Sequence, residues 1–303
     1  MITIKEALTK KEMKDYVMFS FELYKNNPYW IPPIIAEELE TFDKTKNPAL
    51  QTAEAHFYLA YKDNKIVGKI AAIINWEEVN LLGKRKARFG WFDAIDDIEV
   101  TKALLDKVEE LGRKHNMDHM EGPMGFSNLD KVGILSEGFD QMGNMITWYS
   151  LPYYITHFEQ LGFIKEKEYT ESDFSFNGIN PEPFQKASEL IKKRYELRSL
   201  NFTKTKDIMP YVDKMFDLFN ETYARLQSFV PINDIQKEYF KKKYIGFINP
   251  EFIKFIVDKN DNMIAFAIVM PGFAQALKKA NGKLFPFGFY HLLQARKHSK
   301  EIV

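Results

Sequence analysis

Residues 56–75, HFYLAYKDNKIVGKIAAIIN, contain the pattern that decides the fold of this chain. Apolar and aromatic residues alternate up to position 61, the polar run KDNK follows, and a β-branched run covers 66–74. Two such runs around an Asp/Asn turn predict a β-hairpin. Residues 252–270, FIKFIVDKNDNMIAFAIVM, repeat the pattern, so the sequence predicts a second hairpin of the same kind.

The similarity between the two halves extends upstream of the hairpins. DYVMFSFELYKN (15–26) precedes the first hairpin and PYVDKMFDLFNE (210–221) precedes the second, at offsets that agree within a few residues. Two copies of one module are too few for a solenoid and indicate a pair of related domains. We therefore predict a first domain at 1–177, a linker helix at 178–195 and a second domain at 196–303.

Composition limits the classes of protein that this chain can belong to. The 303 residues suffice for two domains with their own cores, and 42 basic residues balance 42 acidic ones. Because the overall charge is zero, no global field attracts the chain to nucleic acid or to anionic lipid. The absence of cysteine excludes disulfides, thiolate metal sites and cysteine nucleophiles. No run approaches membrane-spanning length and no signal peptide is recognisable, so a cytoplasmic location is expected.

The remaining patterns predict further strands and helices. Strand 86–95, helix 100–115 and strand 118–123 form a crossover unit, in which parallel pairing of the two strands is expected. Asp96 and Glu99 fit a capping box at the start of that helix. Further strands are predicted at 1–5, 144–150, 169–176 and 196–202, and further helices at 10–25, 152–163, 181–194, 207–225, 235–244 and within 284–300.

The segment 284–300, LFPFGFYHLLQARKHSK, mixes aromatic with basic residues. Stacking combined with phosphate contacts would suit single-stranded nucleic acid. We favour an amphipathic helix instead, whose basic end faces solvent and whose apolar side packs through Phe289, Leu292, Leu293 and Ala295.

Several stretches resemble one protein family. GILSEGFD (133–140) and PYYITHFEQLGF (152–163), together with YKNNPYWIPP (24–33) and KNPAL (46–50), are similar to a group of bacterial GNAT-like N-acetyltransferases. The order of predicted elements up to about residue 176 is also that of the GNAT acyltransferase fold. The resemblance implies an α/β (mixed α+β) module with a central mixed sheet flanked by helices, here duplicated with an incomplete second copy.

The resemblance also implies acetyl-CoA or another acyl-CoA as co-substrate. In GNAT enzymes the pyrophosphate contacts backbone amides of a glycine-rich loop that opens the helix after the long strand. The corresponding residues here, 96–99, read DDIE, with no glycine or arginine and with three carboxylates. The first copy is therefore expected to be degenerate or to shape the substrate site. Only 271–303 follow the second hairpin, and we expect the native protein to continue with a strand and a phosphate loop, unless the second copy was never complete.

Catalytic candidates follow from the chemistry that GNAT enzymes perform. An amine attacks a thioester, which requires a general base and sometimes a tyrosine that protonates the leaving thiolate. Tyr153 or Tyr154 matches the tyrosine position of the family, although a core role would explain either residue equally. Glu137, in the glycine-rich loop 122–140, is a candidate base or ammonium ligand, with a solvated loop residue as the alternative.

Substrate-binding candidates lie in two loops. Ser127 and Asn128 either shape a turn or orient a substrate. Trp30, in the proline-rich loop 27–33, forms either a structural brace or the wall of a pocket. The six histidines show no metal-ligand spacing, so no metal is expected.

The predicted function is an acyl-CoA-dependent N-acyltransferase that acts on a small-molecule amine in a cleft between the two modules. No nucleic-acid or membrane partner is expected, and the sequence leaves the oligomeric state open. Two alternatives remain. One is a Fem-like transferase that uses aminoacyl-tRNA, and the other is a GNAT-fold protein that binds a small molecule without catalysis.

Overall fold

A five-stranded and a three-stranded β-sheet organise the chain. The structure is a computed structural model that describes residues 1–127, 129–226, 229–245 and 248–303. Contacts within the chain define two compact units. Unit 1 comprises Met1–Phe163, Leu226–Val230 and Pro271–Val303, and unit 2 comprises Ile164–Arg225 and Pro231–Met270.

The elements follow one another in this order along the chain: β1 (Ile2–Glu6), α1 (Lys10–Leu23), α2 (Ile35–Thr41), α3 (Ala49–Thr52), β2 (Ala53–Lys62), β3 (Lys65–Asn75), α4 (Trp76–Leu82), β4 (Lys86–Ala94), α5 (Ile98–Lys114), β5 (His119–Glu121), α6 (Tyr153–Gln160), α7 (Glu182–Tyr195), β6 (Arg198–Leu200), α8 (Thr205–Tyr223), α9 (Asp234–Phe240), β7 (Ile253–Val257), β8 (Met263–Ile268), α10 (Ala274–Ala280) and α11 (Gly288–His298). A π-helical turn, Lys241–Ile245, follows α9, and a 3₁₀ turn, Pro250–Phe252, precedes β7.

The sheet of unit 1 has the strand order β1-β2-β3-β4-β5. Strands β1 to β4 are antiparallel, and β5 is parallel to β4. The first predicted hairpin is β2–β3, and the predicted parallel pairing is that of β4 with β5. This mixed sheet flanked by helices confirms the predicted fold class.

Both faces of this sheet are covered. On one face Ile70 and Phe89 pack in a core with Leu104 of α5. On the other face Ile73 and Trp91 belong to a core that includes Tyr16 of α1. Because β4 is enclosed on both sides, all nine of its residues are buried. An apolar run without alternation, as in KARFGWFDA, is typical of such a strand.

Charged residues of unit 1 are buried in ion pairs at one end of β4. Glu78 of α4 accepts a hydrogen bond from Arg88 Nε at 2.8 Å and lies 3.0 Å from Lys86 Nζ. Lys86 also contacts Glu121. Buried charges require such partners, because removing them from water is costly.

The capping residue of α5 differs from the prediction. Asp97, not Asp96, is the N-cap, and its Oδ1 accepts a hydrogen bond from Glu99 N at 3.1 Å. The other carboxylate oxygen of Asp97 lies 2.8 Å from Lys62 Nζ. The predicted capping box of Asp96 and Glu99 is therefore wrong, since the N-cap lies one residue later in the chain.

Two predicted strands are wrong as well. Residues 144–150 and 169–176 are irregular, although both have the composition of a strand. In 144–150, the Asn144 side chain accepts hydrogen bonds from the backbone of Ile146 and Thr147, which forms a local turn. Strand formation needs a partner strand as well as propensity, and neither segment has one among the described residues.

The sheet of unit 2 has the order β6-β7-β8 and is antiparallel. The second predicted hairpin is β7–β8, and α8 is the counterpart of α1. A core of apolar side chains that includes Val212, Phe216 and Phe255 lies between α8 and this sheet.

The grouping by contacts differs from the predicted domain boundaries. The predicted linker helix is α7, Glu182–Tyr195, but Pro271–Val303 group with unit 1 and not with the second hairpin. In this segment Gly272 N donates a hydrogen bond to Glu301 O at 2.7 Å, and Ile35 N donates to Gly282 O at 2.9 Å. The duplication itself stays a prediction.

The predicted helix within 284–300 is α11, but its packing differs from the expectation. Leu292 and Ala295 are partly buried, whereas Phe289 and Leu293 are exposed. Among the described residues, no helix combines the length and the apolar character needed to cross a membrane.

Candidate functional site

A cleft opens in unit 1 beside the end of β4. The β4–β5 ladder covers only 86–88 and 119–121, and the cleft lies next to 91–93 on the same strand. Gly90 lets the chain after β5 pass close by, because a Cβ there would lie 2.2 Å from Met124 O. The cleft holds about 690 Å³ of empty space, part of it open to solvent.

Asp93 is the central polar residue of the cleft. Its carboxylate accepts hydrogen bonds from Ser20 Oγ at 2.6 Å and from Tyr24 OH at 2.8 Å. Tyr154 OH lies 3.4 Å from the same carboxylate. Ser20 and Tyr24 come from α1 and its end, so helix, strand and α6 meet at this point.

Lys69 lies beside Asp93 because the β3–β4 register pairs these two residues directly. Their charged atoms are 3.5 Å apart, and both residues are buried. The ammonium of Lys69 also lies 4.9 Å from the centre of the Tyr16 ring, a cation–π arrangement. Lys69, which also lines the cleft, thus gives Asp93 a positively charged partner.

The phenols around Asp93 are held in their protonated form. Burial, and then the negative charge of Asp93, raises the pKa of Tyr24 and of Tyr154 well above the usual value. Burial likewise raises the pKa of Tyr153, whose OH donates to Ala94 O at 2.7 Å. Ala94 N in turn donates to Tyr154 OH at 2.9 Å. Each phenol can therefore donate a hydrogen bond at neutral pH.

Aromatic rings form much of the cleft wall. Trp30 stacks on Tyr24 with ring centroids 5.2 Å apart, and Trp91 meets Trp148 edge-on at 5.9 Å. These four residues all line the cleft. Such a wall suits either a hydrocarbon group or a cation over a ring face.

Two further charged residues, Lys131 and Glu38, line the cleft. Burial lowers the pKa of Lys131, and the negative charge of Glu38 acts in the opposite direction. Lys131 belongs to the glycine-rich loop 122–140, in which Glu137 was the predicted candidate. The cleft therefore presents acidic and basic groups within one enclosure.

The structure brings together some of the predicted site residues and separates others. Tyr154 and Trp30 line the cleft. Tyr153 is not a lining residue, but its OH donates a hydrogen bond to Ala94 O, which is adjacent to Asp93 in β4. Glu137 is exposed and is not among the lining residues. Ser127 forms a turn in which its backbone N donates to Asp130 at 2.9 Å. Asn128 lies outside the described residues.

Sequence reasoning missed Asp93, Lys69, Ser20 and Tyr24. A signal was present for two of them, because Asp93 interrupts the apolar run of β4 and Lys69 interrupts that of β3. Charged residues inside buried strands need partners, which makes them candidates for a site. Their pairing, however, depends on the register of two strands and could not be read from either strand alone.

The start of α5 does not suit the pyrophosphate of CoA. Asp97 caps the helix, Asp96 lies 3.2 Å from His157 Nε2, and Glu99 occupies the first turn. These carboxylates stand where a phosphate would need free amides and positive charge. Among the described residues, no group of three His, Asp or Glu side chains is placed to hold a metal ion.

The antiparallel run β1–β4, the short parallel pairing of β4 with β5, and a cleft beside β4 agree with the fold that the resemblance to GNAT acyltransferases implied. No protein-family model matches the chain. It is 27% identical over 301 residues to the protein YghO of Escherichia coli, a match that covers 98% of this chain and 75% of that protein.

A second relative is a bacterial ceramide synthase of Caulobacter vibrioides, with 25% identity over 288 residues, which cover 94% of this chain and 74% of that protein. Among solved structures, a tandem GNAT protein from the clavulanic acid biosynthesis pathway, in a form without acetyl-CoA, is similar to 89% of this chain. The match has 12% identity and a TM-score of 0.47 and covers 74% of that protein's chain.

Proposed function

We propose that this protein is an N-acyltransferase and that the cleft around Asp93 binds the acceptor amine. The observation that carries this proposal is the buried Asp93 carboxylate, which is held by Ser20 and Tyr24 at the base of an aromatic cleft. The Asp93 carboxylate would share its negative charge between Lys69 and the ammonium of the substrate, and the surrounding rings favour a cation.

The residues of the cleft provide the proton transfers that N-acylation needs. An ammonium must lose a proton before its nitrogen can attack a carbonyl carbon, and Asp93 accepts that proton directly or through one water. Ser20 and Tyr24 fix the orientation of the carboxylate. Tyr154, which burial keeps protonated, is the proposed donor of a proton to the leaving thiolate of CoA.

The acceptor that we propose is an amine with an apolar chain. Trp30, Trp91 and Trp148 offer it a hydrocarbon surface beside the carboxylate. A relative named as a ceramide synthase supports this choice, because ceramides are amides of long-chain amino alcohols. Acyl-CoA is the donor that the resemblance implies. We assign no residue of unit 1 to its pyrophosphate, since the start of α5 carries carboxylates.

The test is release of CoA thiol from acetyl-CoA and palmitoyl-CoA in the presence of a long-chain amino alcohol, a short diamine or an amino sugar. The chain contains no cysteine, so a thiol reagent reports only the released CoA. We expect Asp93→Asn to lower kcat/KM about 100-fold or more, as for loss of a general base. The matched control is Asp106→Asn on the exposed side of α5, where Asp106 pairs with Lys102.

Folding is checked separately, because Asp93 is buried. Tyr24→Phe removes one hydrogen bond to Asp93 with little change in shape, and we expect an activity loss of about tenfold. Tryptophan fluorescence shows whether each variant is folded. A folded Asp93→Asn protein with full activity would exclude the proposed role of Asp93. Absence of turnover with every amine, combined with binding of an amine to the cleft, would favour the non-catalytic alternative.

A further inference from the structure

The C-terminal part of unit 1 exposes a cluster of large apolar side chains. We call this surface, with Lys297, the aromatic–basic face. Its apolar members and their exposed fractions are Phe285 (77%), Phe287 (70%), Phe289 (42%), Tyr290 (52%) and Leu293 (44%). Single exposed apolar residues are ordinary, but five within nine residues are not.

The geometry of α11 places these residues on one side of the helix. Phe289, Leu293 and Lys297 are spaced by four residues, so they follow one another along a single stripe. Tyr290 lies next to that stripe, and all four residues are exposed. The partly buried residues of the helix, which include Leu292 and Ala295, lie on the opposite side. The helix thus exposes an apolar face of its own, preceded by the two phenylalanines of its entry loop.

Charge distinguishes this segment from the rest of the chain. Pro271–Val303 contains six lysine and arginine residues and one glutamate, a net charge of +5. Because the whole chain has a net charge of zero, residues 1–270 carry −5. The basic residues of the segment are Lys278, Lys279, Lys283, Arg296, Lys297 and Lys300.

We propose that the aromatic–basic face docks on the surface of a lipid bilayer that contains anionic lipid. Phenylalanine and leucine side chains enter the boundary between headgroups and acyl chains, and nearby lysines are attracted to the negative leaflet. Leu293 has no ring that could stack on a base, whereas leucine and phenylalanine side chains both enter the acyl region of a bilayer, so the face suits lipid better than nucleic acid.

This proposal goes beyond the proposed function and does not rest on it. It also replaces the expectation from sequence that the protein has no membrane partner. That expectation followed from the balanced total charge, which hides the positive segment. The packing predicted for Phe289 and Leu293, which are exposed, also hid this face.

The experiment is co-sedimentation of the full chain with vesicles of phosphatidylcholine, with and without phosphatidylglycerol. We expect binding to the vesicles that contain phosphatidylglycerol, and weaker binding at high salt. The double variant Phe285→Ser/Phe287→Ser should weaken the partition coefficient about tenfold or more, because each ring loses its buried contact with the bilayer. Lys297→Glu/Lys300→Glu should reduce both the binding and its salt dependence.

The matched control is Phe174→Ser/Phe176→Ser. These two phenylalanines are exposed to a similar degree, 66% and 62%, but they lie near Glu171 and Asp173. We expect the control to bind vesicles as the unchanged protein does. Failure of the unchanged protein to bind phosphatidylglycerol vesicles would overturn the proposal. An equal loss of vesicle binding in the two double phenylalanine variants would overturn it as well. Self-association that depends on Phe285 and Phe287 without vesicle binding would assign the face to a second copy instead.

Discussion

The two hairpins of this chain share one plan and differ in burial. In β2–β3 a bulge lies next to the Tyr61–Ile66 pair, on the side away from the turn. In β7–β8 a bulge lies at the same place, next to the Val257–Met263 pair. Yet all residues of β3 from 67 to 75 are buried, whereas most of β8 is partly or fully exposed. Strand β4 and helix α5 cover β3, while β8 is an edge strand of the sheet in the described part of unit 2. Local sequence therefore determines a hairpin, and its neighbours determine what the hairpin buries.

The largest expected difference comes from removing one apolar side chain in each hairpin. Ile70 of β3 is fully buried, so Ile70→Ala should lower the free energy of unfolding of unit 1 by about 2–5 kcal/mol. Ile264 of β8 is 49% exposed, and Ile264→Ala should change the stability of unit 2 by no more than about 0.5 kcal/mol.

Urea unfolding measures both effects in one molecule. The four tryptophans, at positions 30, 76, 91 and 148, all belong to unit 1, so their fluorescence reports that unit alone. Far-UV circular dichroism reports both units. If Ile264→Ala lowered the free energy of unfolding as much as Ile70→Ala, β8 would have to be covered in solution. The two hairpins would then not differ in burial.

The same comparison explains how far the sequence could be read. Hairpins, α1, α5 and the parallel β4–β5 pair were predictable, because each depends on periodicity within a short stretch. The predicted strands 144–150 and 169–176 were wrong, because a composition that is typical of β-strands does not specify a partner strand. For the candidate site, Tyr154 and Trp30 were predicted, whereas Asp93 and its partners come from three separate elements. Contacts of that kind depend on strand register and helix packing, which one stretch of sequence does not specify.

A second prediction concerns charged residues in the two units. Burial alone would raise the pKa of Glu54 in β2, but contacts with His56, His115 and Lys114 outweigh it and lower the pKa to about 2. The corresponding distances are 3.2, 3.0 and 3.3 Å. Since the usual pKa of a glutamate is 4.5, the stabilisation by Glu54 is complete above that pH and is lost as the pH falls from 4.5 towards 2.

We therefore expect Glu54→Gln to remove about 2 kcal/mol of the stability of unit 1 at pH 6 and little at pH 2. The measurement is urea unfolding followed by tryptophan fluorescence across this pH range. The control is Glu196→Gln in unit 2, where Glu196 lies 3.0 Å from Lys259 but both side chains are about two-thirds exposed. Solvent screens such a pair, so no pH-dependent loss is expected there. A Glu54→Gln effect that does not change with pH would mean that packing, not charge, is responsible.

The smallest expected effect is one that both units should share. Asp97 caps α5 in unit 1, and Asn233 caps α9 in unit 2 by accepting a hydrogen bond from Gln236 N at 2.9 Å. A capping side chain accepts hydrogen bonds from amides of the first turn of its own helix. Its contribution to stability should therefore not depend on how deeply the surrounding unit buries its side chains. Asp97→Ala and Asn233→Ala should each cost about 1 kcal/mol, and Asp96→Ala less than about 0.5 kcal/mol.

Circular dichroism during urea unfolding compares the two cap variants, and Asp97→Asn separates capping from the ion pair with Lys62, because asparagine keeps the capping acceptor. If both cap variants lost the same stability, the difference between the two units would be confined to the burial of their side chains. A negligible cost at Asn233 alone would mean that α9 is already frayed in solution. Unit 2 would then differ from unit 1 in its local structure as well as in its coverage.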